Sequence, residues 1–176
     1  MQKKYLVISS SLNPGSNSRL LAKAATESLS KKADAELLDL RDYPLPLCDG
    51  GEAYGDANVR ILSEKIKNAD GILVAVPIYN WDVSAAAKNL VELTGKAWEN
   101  KTVGFLCAAG GKFSYMSVMS FANSLMLDFR CLIVPRFVYA DGSQFSAEEI
   151  SDPQVAKRID ELTNALVQLG RALIAV

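Results

Sequence analysis

The chain contains no histidine among its 176 residues. That absence removes Ser-His-Asp and Cys-His nucleophilic chemistry, and every histidine-ligated metal with it. Its three cysteines, Cys48, Cys107 and Cys131, are odd in number, far apart and never in a C-x-x-C pair. They imply neither a disulfide framework nor a metal cage, and they fit a reducing compartment. No apolar run approaches the roughly 18 residues of a membrane span. There is no Lys/Arg run and the formal net charge is −1, so neither nucleic acid nor an anionic membrane is implied as a partner. Met1 to Tyr5 lead directly into a strand pattern, with no room for the apolar core of a secretion signal. The expectation is a cytoplasmic protein of one domain, residues 1–176, long enough for a three-layer core.

What is present is an alternation. Short apolar runs at Tyr5 to Ser9, Ala35 to Leu40, Gly71 to Val76, Val103 to Ala108 and Leu132 to Val138 are bounded by Gly, Pro, Asp or Asn. Continuously apolar strands suit a parallel sheet covered on both faces. Between them, Leu21/Ala25/Leu29, Val59/Leu62/Ile66 and Ala86/Leu90/Leu93 repeat at helical spacing. A last helix is predicted from Asp152 to Ile174, with Val155, Ile159, Leu162, Leu166, Leu169 and Leu173 on one face. The fold class is α/β: a three-layer α/β/α sandwich around a five-stranded parallel sheet in strand order 2-1-3-4-5, with right-handed crossovers. The longest irregular piece, Arg41 to Asp56, is a candidate lid or subunit contact.

Leu6 to Arg19 carry the strongest local signal: an apolar strand, the loop Ser9-Ser10-Ser11-Leu12-Asn13-Pro14-Gly15-Ser16, then an amphipathic helix. A helix N-terminus presents unpaired N–H groups and the positive end of the dipole, so the pattern reads as a phosphate cradle. The loop lacks both the G-x-G-x-x-G and the G-x-x-x-x-G-K-[ST] spacings, which leaves a phosphate monoester site; the plainer alternative is a turn with Ser16 as N-cap. In this strand order the crevice opens between strands one and three. The loop Pro77-Ile78-Tyr79-Asn80-Trp81-Asp82 then brings two aromatic rings and an amide, and Ala108-Ala109-Gly110-Gly111-Lys112-Phe113 brings bare backbone. Each loop alone has a structural explanation: Pro77 ending a strand, Tyr79 and Trp81 packing between subunits, the glycines making a turn. Together, at the carboxyl ends of adjacent strands, they match a ligand with a phosphate at one end and a planar ring at the other, and FMN is the candidate.

These residues resemble the NAD(P)H-dependent FMN reductase family of flavodoxin-like proteins, over nearly the whole chain. That family's first loop has the form G-S-x-R-x-x-S-x-N, and its ring loop reads P-x-Y-N-G-S-x-P-G before a helix containing K-N. Ser11, Asn13, Ser16 and Ser18 fall at phosphate-loop positions, while Pro77, Tyr79, Asn80, Lys88 and Asn89 match the ring loop without a gap. The chain departs from the pattern at Asn13, where arginine is common, and at Trp81, Asp82 and Ser84, where glycine, serine and proline are usual. The resemblance implies bound FMN, hydride from NADPH or NADH, and electrons passed to a small-molecule acceptor such as free flavin, a quinone, an azo dye or a metal ion. A flavodoxin-type carrier without its own NAD(P)H turnover is the alternative. A phosphorylation receiver is disfavoured, because Ser9-Ser10-Ser11 stand where its acid pair belongs.

Candidate cofactor residues are therefore Ser11, Asn13, Ser16, Asn17 and Ser18 at the phosphate, Pro77, Tyr79, Asn80 and Trp81 at the ring and ribityl chain, and Gly110 and Gly111 at the ring edge. No catalytic acid or base and no metal ligand is expected, because the cofactors carry the bond-making chemistry. Arg19 is read as exposed rather than phosphate-bound, Lys88 and Asn89 as solvated or interface residues, Cys48 as a bystander, and Cys107 and Cys131 as core. Trp81 is expected to control acceptor access. Apolar residues spread widely around Ser114 to Phe129 predict a homodimer.

Overall fold

The computed structural model describes residues 3–147 and 149–172. Strands β1 (Lys4–Ser9), β2 (Asp34–Asp39), β3 (Gly71–Tyr79), β4 (Asp82–Val83), β5 (Thr102–Ala109), β6 (Leu132–Ile133) and β7 (Val138–Asp141) form one sheet. The pairing runs β2-β1-β3-β5 in parallel, with β6 and β7 both beside β5 and β4 folded antiparallel onto β3. A separate hairpin joins β8 (Phe145–Ser146) to β9 (Glu149–Ile150). The flavodoxin-like order expected from the sequence is present, with one correction. The fifth position is not a continuous strand from Leu132 to Val138 but two short ones, split across Pro135, which has no N–H to give to a ladder.

Alternation along the strands feeds two cores. On β1, Leu6 and Ile8 face the side covered by α2 (Ala57–Lys67), α3 (Ala85–Thr94) and α4 (Met119–Phe129), with Leu62, Leu90, Phe121 and the fully buried Trp98. Tyr5 and Val7 face the side covered by α1 (Asn17–Ser30) and α5 (Pro153–Ala172), with Leu21, Leu29, Ile159 and Leu162. Strands apolar on both faces are what such a three-layer arrangement requires. The predicted end of α5 at Leu173 and Ile174 lies outside the described residues.

Two expectations shift in detail. Ser114 to Phe129 is not one helix but a 3-10 turn at Tyr115–Val118 followed by α4; Val118, Phe121, Ala122 and Leu125 are core, while Tyr115, Met116, Met126 and Leu127 are exposed. The irregular segment after β2, the candidate lid or subunit contact, is tied to the helices beside it. Asn89 on α3 donates to the Pro46 carbonyl (2.9 Å) and accepts from the Cys48 amide (2.8 Å), while Asn58 on α2 donates to the Pro44 carbonyl (2.8 Å). Burial pushes the Cys107 thiol up to about 12 and the Cys131 thiol up to about 11, so both are inert core groups, whereas Cys48 is half-buried in the pinned segment.

Candidate functional site

The pairing of β1 with β3 stops at Ser9 and Ala75, but β3 continues beside β5 through Pro77 and Ala108. The sheet therefore opens where the chain leaves β1 for β2 on one side and returns as β3 on the other. A crevice of about 680 Å³ lies there, walled by Asn13, Gly15, Ser16, Asn17, Ser18, Pro77, Ile78, Tyr79, Asn80, Ala108, Ala109, Gly110 and Gly142.

The first wall is organised by its own side chains. The Ser11 hydroxyl accepts from the Asn13 amide (3.3 Å), and the Asn13 side-chain oxygen accepts from the Gly15 amide (3.0 Å). Ser16 occupies the N-cap position of α1 yet makes no side-chain cap; its hydroxyl instead shares a 2.8 Å hydrogen bond with that of Ser18. The opening amides of α1 are left without a side-chain acceptor, beside two buried hydroxyls that line the crevice. No lining side chain is cationic. Arg19, read from sequence as exposed, is instead half-buried: its Nε donates to Asp39 at 2.7 Å, and Arg41 holds the same carboxylate at 2.8 Å. Burial works to raise the Asp39 pKa, but hydrogen bonds from the Arg41 side chain and backbone and from Arg19 outweigh it and hold the carboxyl below its ordinary value.

The second wall ends in a two-residue hairpin. Tyr79 pairs with Asp82, and Asn80 and Trp81 between them adopt φ of 51° and 66°. Both turn positions are left-handed, the geometry that tight hairpins favour and that Asn-Gly adopts most readily. A tryptophan there is strained. Asp82 ties the hairpin to α4 by accepting from the Ser120 hydroxyl at 3.1 Å, and the Ser84 hydroxyl caps α3 through the Ala87 amide at 3.4 Å.

The third wall is bare backbone. A Cβ at Gly110 or Gly111 would meet nothing within 4 Å, and neither residue has positive φ. Neither crowding nor backbone strain within the protein calls for glycine at these positions, whereas a ligand lying on the backbone does.

Of the candidate residues, Asn13, Ser16, Asn17, Ser18, Pro77, Tyr79, Asn80 and Gly110 line the crevice. Three do not. Ser11 is buried behind the loop it braces. Trp81 and Gly111 line a neighbouring recess of about 310 Å³ with Ile78, Asn80, Phe113 and Ser114. Lys88 pairs with Glu92 one helical turn on, and Asn89 pins the segment after β2. Gly142 was not foreseen, because its strand ends at Asp141 rather than at Val138. Among the described residues there is no cluster able to hold a metal ion, and no helix long and apolar enough to cross a membrane.

A mostly parallel sheet with a polar crevice and an uncapped helix start at its switch point defines a flavodoxin-like protein. The family model for NADPH-dependent FMN reductase matches residues 3–145, and the chain belongs to that family of NAD(P)H-dependent, FMN-using oxidoreductases. An NAD(P)H-dependent FAD/FMN reductase of Geobacillus thermodenitrificans is 29% identical over 146 residues, spanning 81% of this chain and 78% of that protein. An NADPH azoreductase of Bacillus sp. is 26% identical over 151 residues, spanning 85% and 83%. Among solved structures, the NAD(P)H:(acceptor) oxidoreductase FerB of Paracoccus denitrificans has the same fold, with a TM-score of 0.79 at 19% identity over 97% of this chain and 98% of that one.

Proposed function

We propose that the crevice binds FMN phosphate first, and that the enzyme takes hydride from NADPH or NADH and passes the electrons to a small-molecule acceptor. The observation that carries this reading is the crevice's two facing walls: the start of α1, without a side-chain cap and beside the buried Ser16 and Ser18, and the open space over Gly110 opposite. A dianion suits the first, because helix N–H groups and hydroxyl donors stabilise it without a cation. A flat ring suits the second.

In this assignment Asn13, Ser16, Asn17 and Ser18 hold the phosphate, with Ser11 bracing their loop. Pro77, Tyr79 and Asn80 wall the ring and ribityl chain, Gly110 and Gly111 present backbone to the ring edge, and Trp81 stands at the mouth, 68% exposed. Bound FMN supplies the hydride-accepting, electron-donating ring. The protein's task is to orient that ring, exclude water from one side and leave the other open to two substrates in turn.

The exposed Tyr115, Met116, Met126 and Leu127 favour a homodimer that covers them. The free cysteines favour a reducing, cytoplasmic location. FMN titration against riboflavin and inorganic phosphate tests the site: FMN should bind most tightly, and equal affinity for FMN and riboflavin would refute the cradle. Steady-state NADPH oxidation with an added acceptor tests the enzyme, since a mere carrier shows no turnover. Light scattering at micromolar concentration tests the dimer, and a monomer there would end that proposal.

A further inference from the structure

We infer that Tyr139 is a positioning residue for the ring end of the crevice, fixing the Gly110–Gly111 turn through a hydrogen bond from its phenol to the Gly111 carbonyl. The inference rests on reading the crevice as a flavin site.

The turn needs such a tether. The ladder between β5 and β7 ends at Ala109 and Asp141, Gly110 and Gly111 have open space where side chains would be, and Phe113 is 88% exposed. Beyond the end of that ladder, the Tyr139 phenol ties the turn to the body of the protein through the Gly111 carbonyl. Ser114 lies 2.7 Å from the same phenol oxygen. A phenol has a single proton; with that proton on Gly111, the Ser114 hydroxyl donates to Tyr139, and both groups are satisfied.

The tyrosine is itself held from three sides. It is buried on β7, its ring meets Tyr115 edge-on at 5.6 Å, and Tyr115 stacks on Phe137 at 4.9 Å. Its backbone carbonyl accepts from Arg158 of α5 at 3.2 Å. The phenol oxygen therefore has a fixed position. Because a trans peptide is planar with its C=O and N–H opposed, fixing the Gly111 carbonyl also fixes the Lys112 amide, pointing away from Tyr139. One hydroxyl thus sets the direction of a donor at the edge where the flavin ring is assigned.

Tyr139→Phe removes that hydroxyl and keeps the ring packing, so the flavin-free protein should melt close to wild type. FMN and riboflavin affinity should each fall roughly tenfold, leaving their ratio unchanged because the phosphate loop is untouched. The absorbance spectrum and midpoint potential of bound FMN should both move. Ser114→Ala, which only weakens the polarisation of the phenol, should give the same changes at smaller size. A Tyr139→Phe protein with wild-type affinities, spectrum and potential would overturn the inference, as would a loss confined to FMN. Wild-type protein that binds neither flavin would overturn the crevice reading, and this one with it.

Discussion

Two cavities of equal size, about 680 Å³ each, lie on either side of the loop after β1. Alternate residues of that loop serve both: Asn13 and Gly15 face the crevice, while Leu12 and Pro14 face an apolar recess completed by Leu40, Tyr43, Leu45, Leu47, Ala85 and Ala86. Volume does not distinguish them; the state of their polar groups does. In the recess, Arg41 is bound to Asp39, and Asn89 bridges the Pro46 carbonyl and the Cys48 amide. In the crevice, the start of α1 carries no side-chain cap, and among the described residues nothing lies within 4 Å of where a Gly110 side chain would begin. A site is read from the polar groups that line it more securely than from empty space.

The sharpest way to break this contrast is to put a negative charge into the polar cavity. Ser16→Asp places a good capping residue at the start of α1, so the fold should be as stable as wild type or slightly more so. The same carboxylate repels a phosphate: unit charges about 4 Å apart at a partly buried site interact by roughly 4 kcal/mol. FMN affinity should fall at least 100-fold while riboflavin affinity changes little, measured by fluorescence titration. Retained FMN binding would move the phosphate elsewhere.

On the apolar side, Asn89→Ala removes both bonds that pin the segment after β2. Stability should fall by about 2 kcal/mol in denaturant titration, with proteolysis of residues 41–56 accelerated and FMN affinity unchanged. A coupled loss of FMN affinity would show that the two cavities are not independent.

Trp81→Gly tests the boundary between crevice and mouth. Relieving a left-handed tryptophan is worth roughly 1 kcal/mol or more, about 2–4 °C of Tm in a chain of this size. FMN affinity should stay within about 1 kcal/mol, because the proposed phosphate and ring-edge positions are untouched, while kcat/KM for bulky acceptors changes about tenfold. Unchanged acceptor selectivity with a loosened dimer would assign Trp81 to an interface instead.

The smallest effect lies at Asp39, which keeps Arg19 and Arg41 engaged beside the two cavities. Its carboxyl titrates below the ordinary value of 3.8 in the folded protein. A depressed carboxylate stabilises the fold above the unfolded pKa, and that contribution disappears as pH falls through the folded pKa. Thermal melts of wild type should show this acid loss, and Asp39→Asn should lack that part of it. With both arginines released, the variant should also bind FMN a few-fold more tightly, but not riboflavin.

The sheet was legible because β1, β3 and β5 are apolar runs buried on both faces, a pattern with few other solutions, and the edge strand β2 follows from the short Leu37-Leu38 pair beside them. Pro135 was equally visible, but a break of four residues within an apolar stretch leaves no periodic trace. That break hid the true end of β7, and with it Gly142. At the site, the hydroxyl-rich loop and the Tyr79-Asn80 pair were readable from residue type alone. The direction of a side chain was not. Trp81 and Gly111 lie one residue off the crevice wall and Ser11 two, and Arg19 found its partner on a strand 20 positions away. The left-handed turn at Trp81 could not be foreseen, because local preference argues for glycine there and tertiary structure overrides it.

The unequal burial of the three thiols makes the chain a gauge of its own unfolding. A neutral-pH alkylating reagent can reach Cys48 in the folded protein, but Cys107 and Cys131 only once the strands and helices over them separate. Counting adducts by mass therefore distinguishes intact molecules, with at most one, from opened ones with three. The rate of the first adduct reports how exposed Cys48 is in the segment that Asn89 pins, and the rate of the next two follows global opening. Recorded with and without FMN, the same mass spectrum measures how strongly the cofactor holds each part of the protein closed.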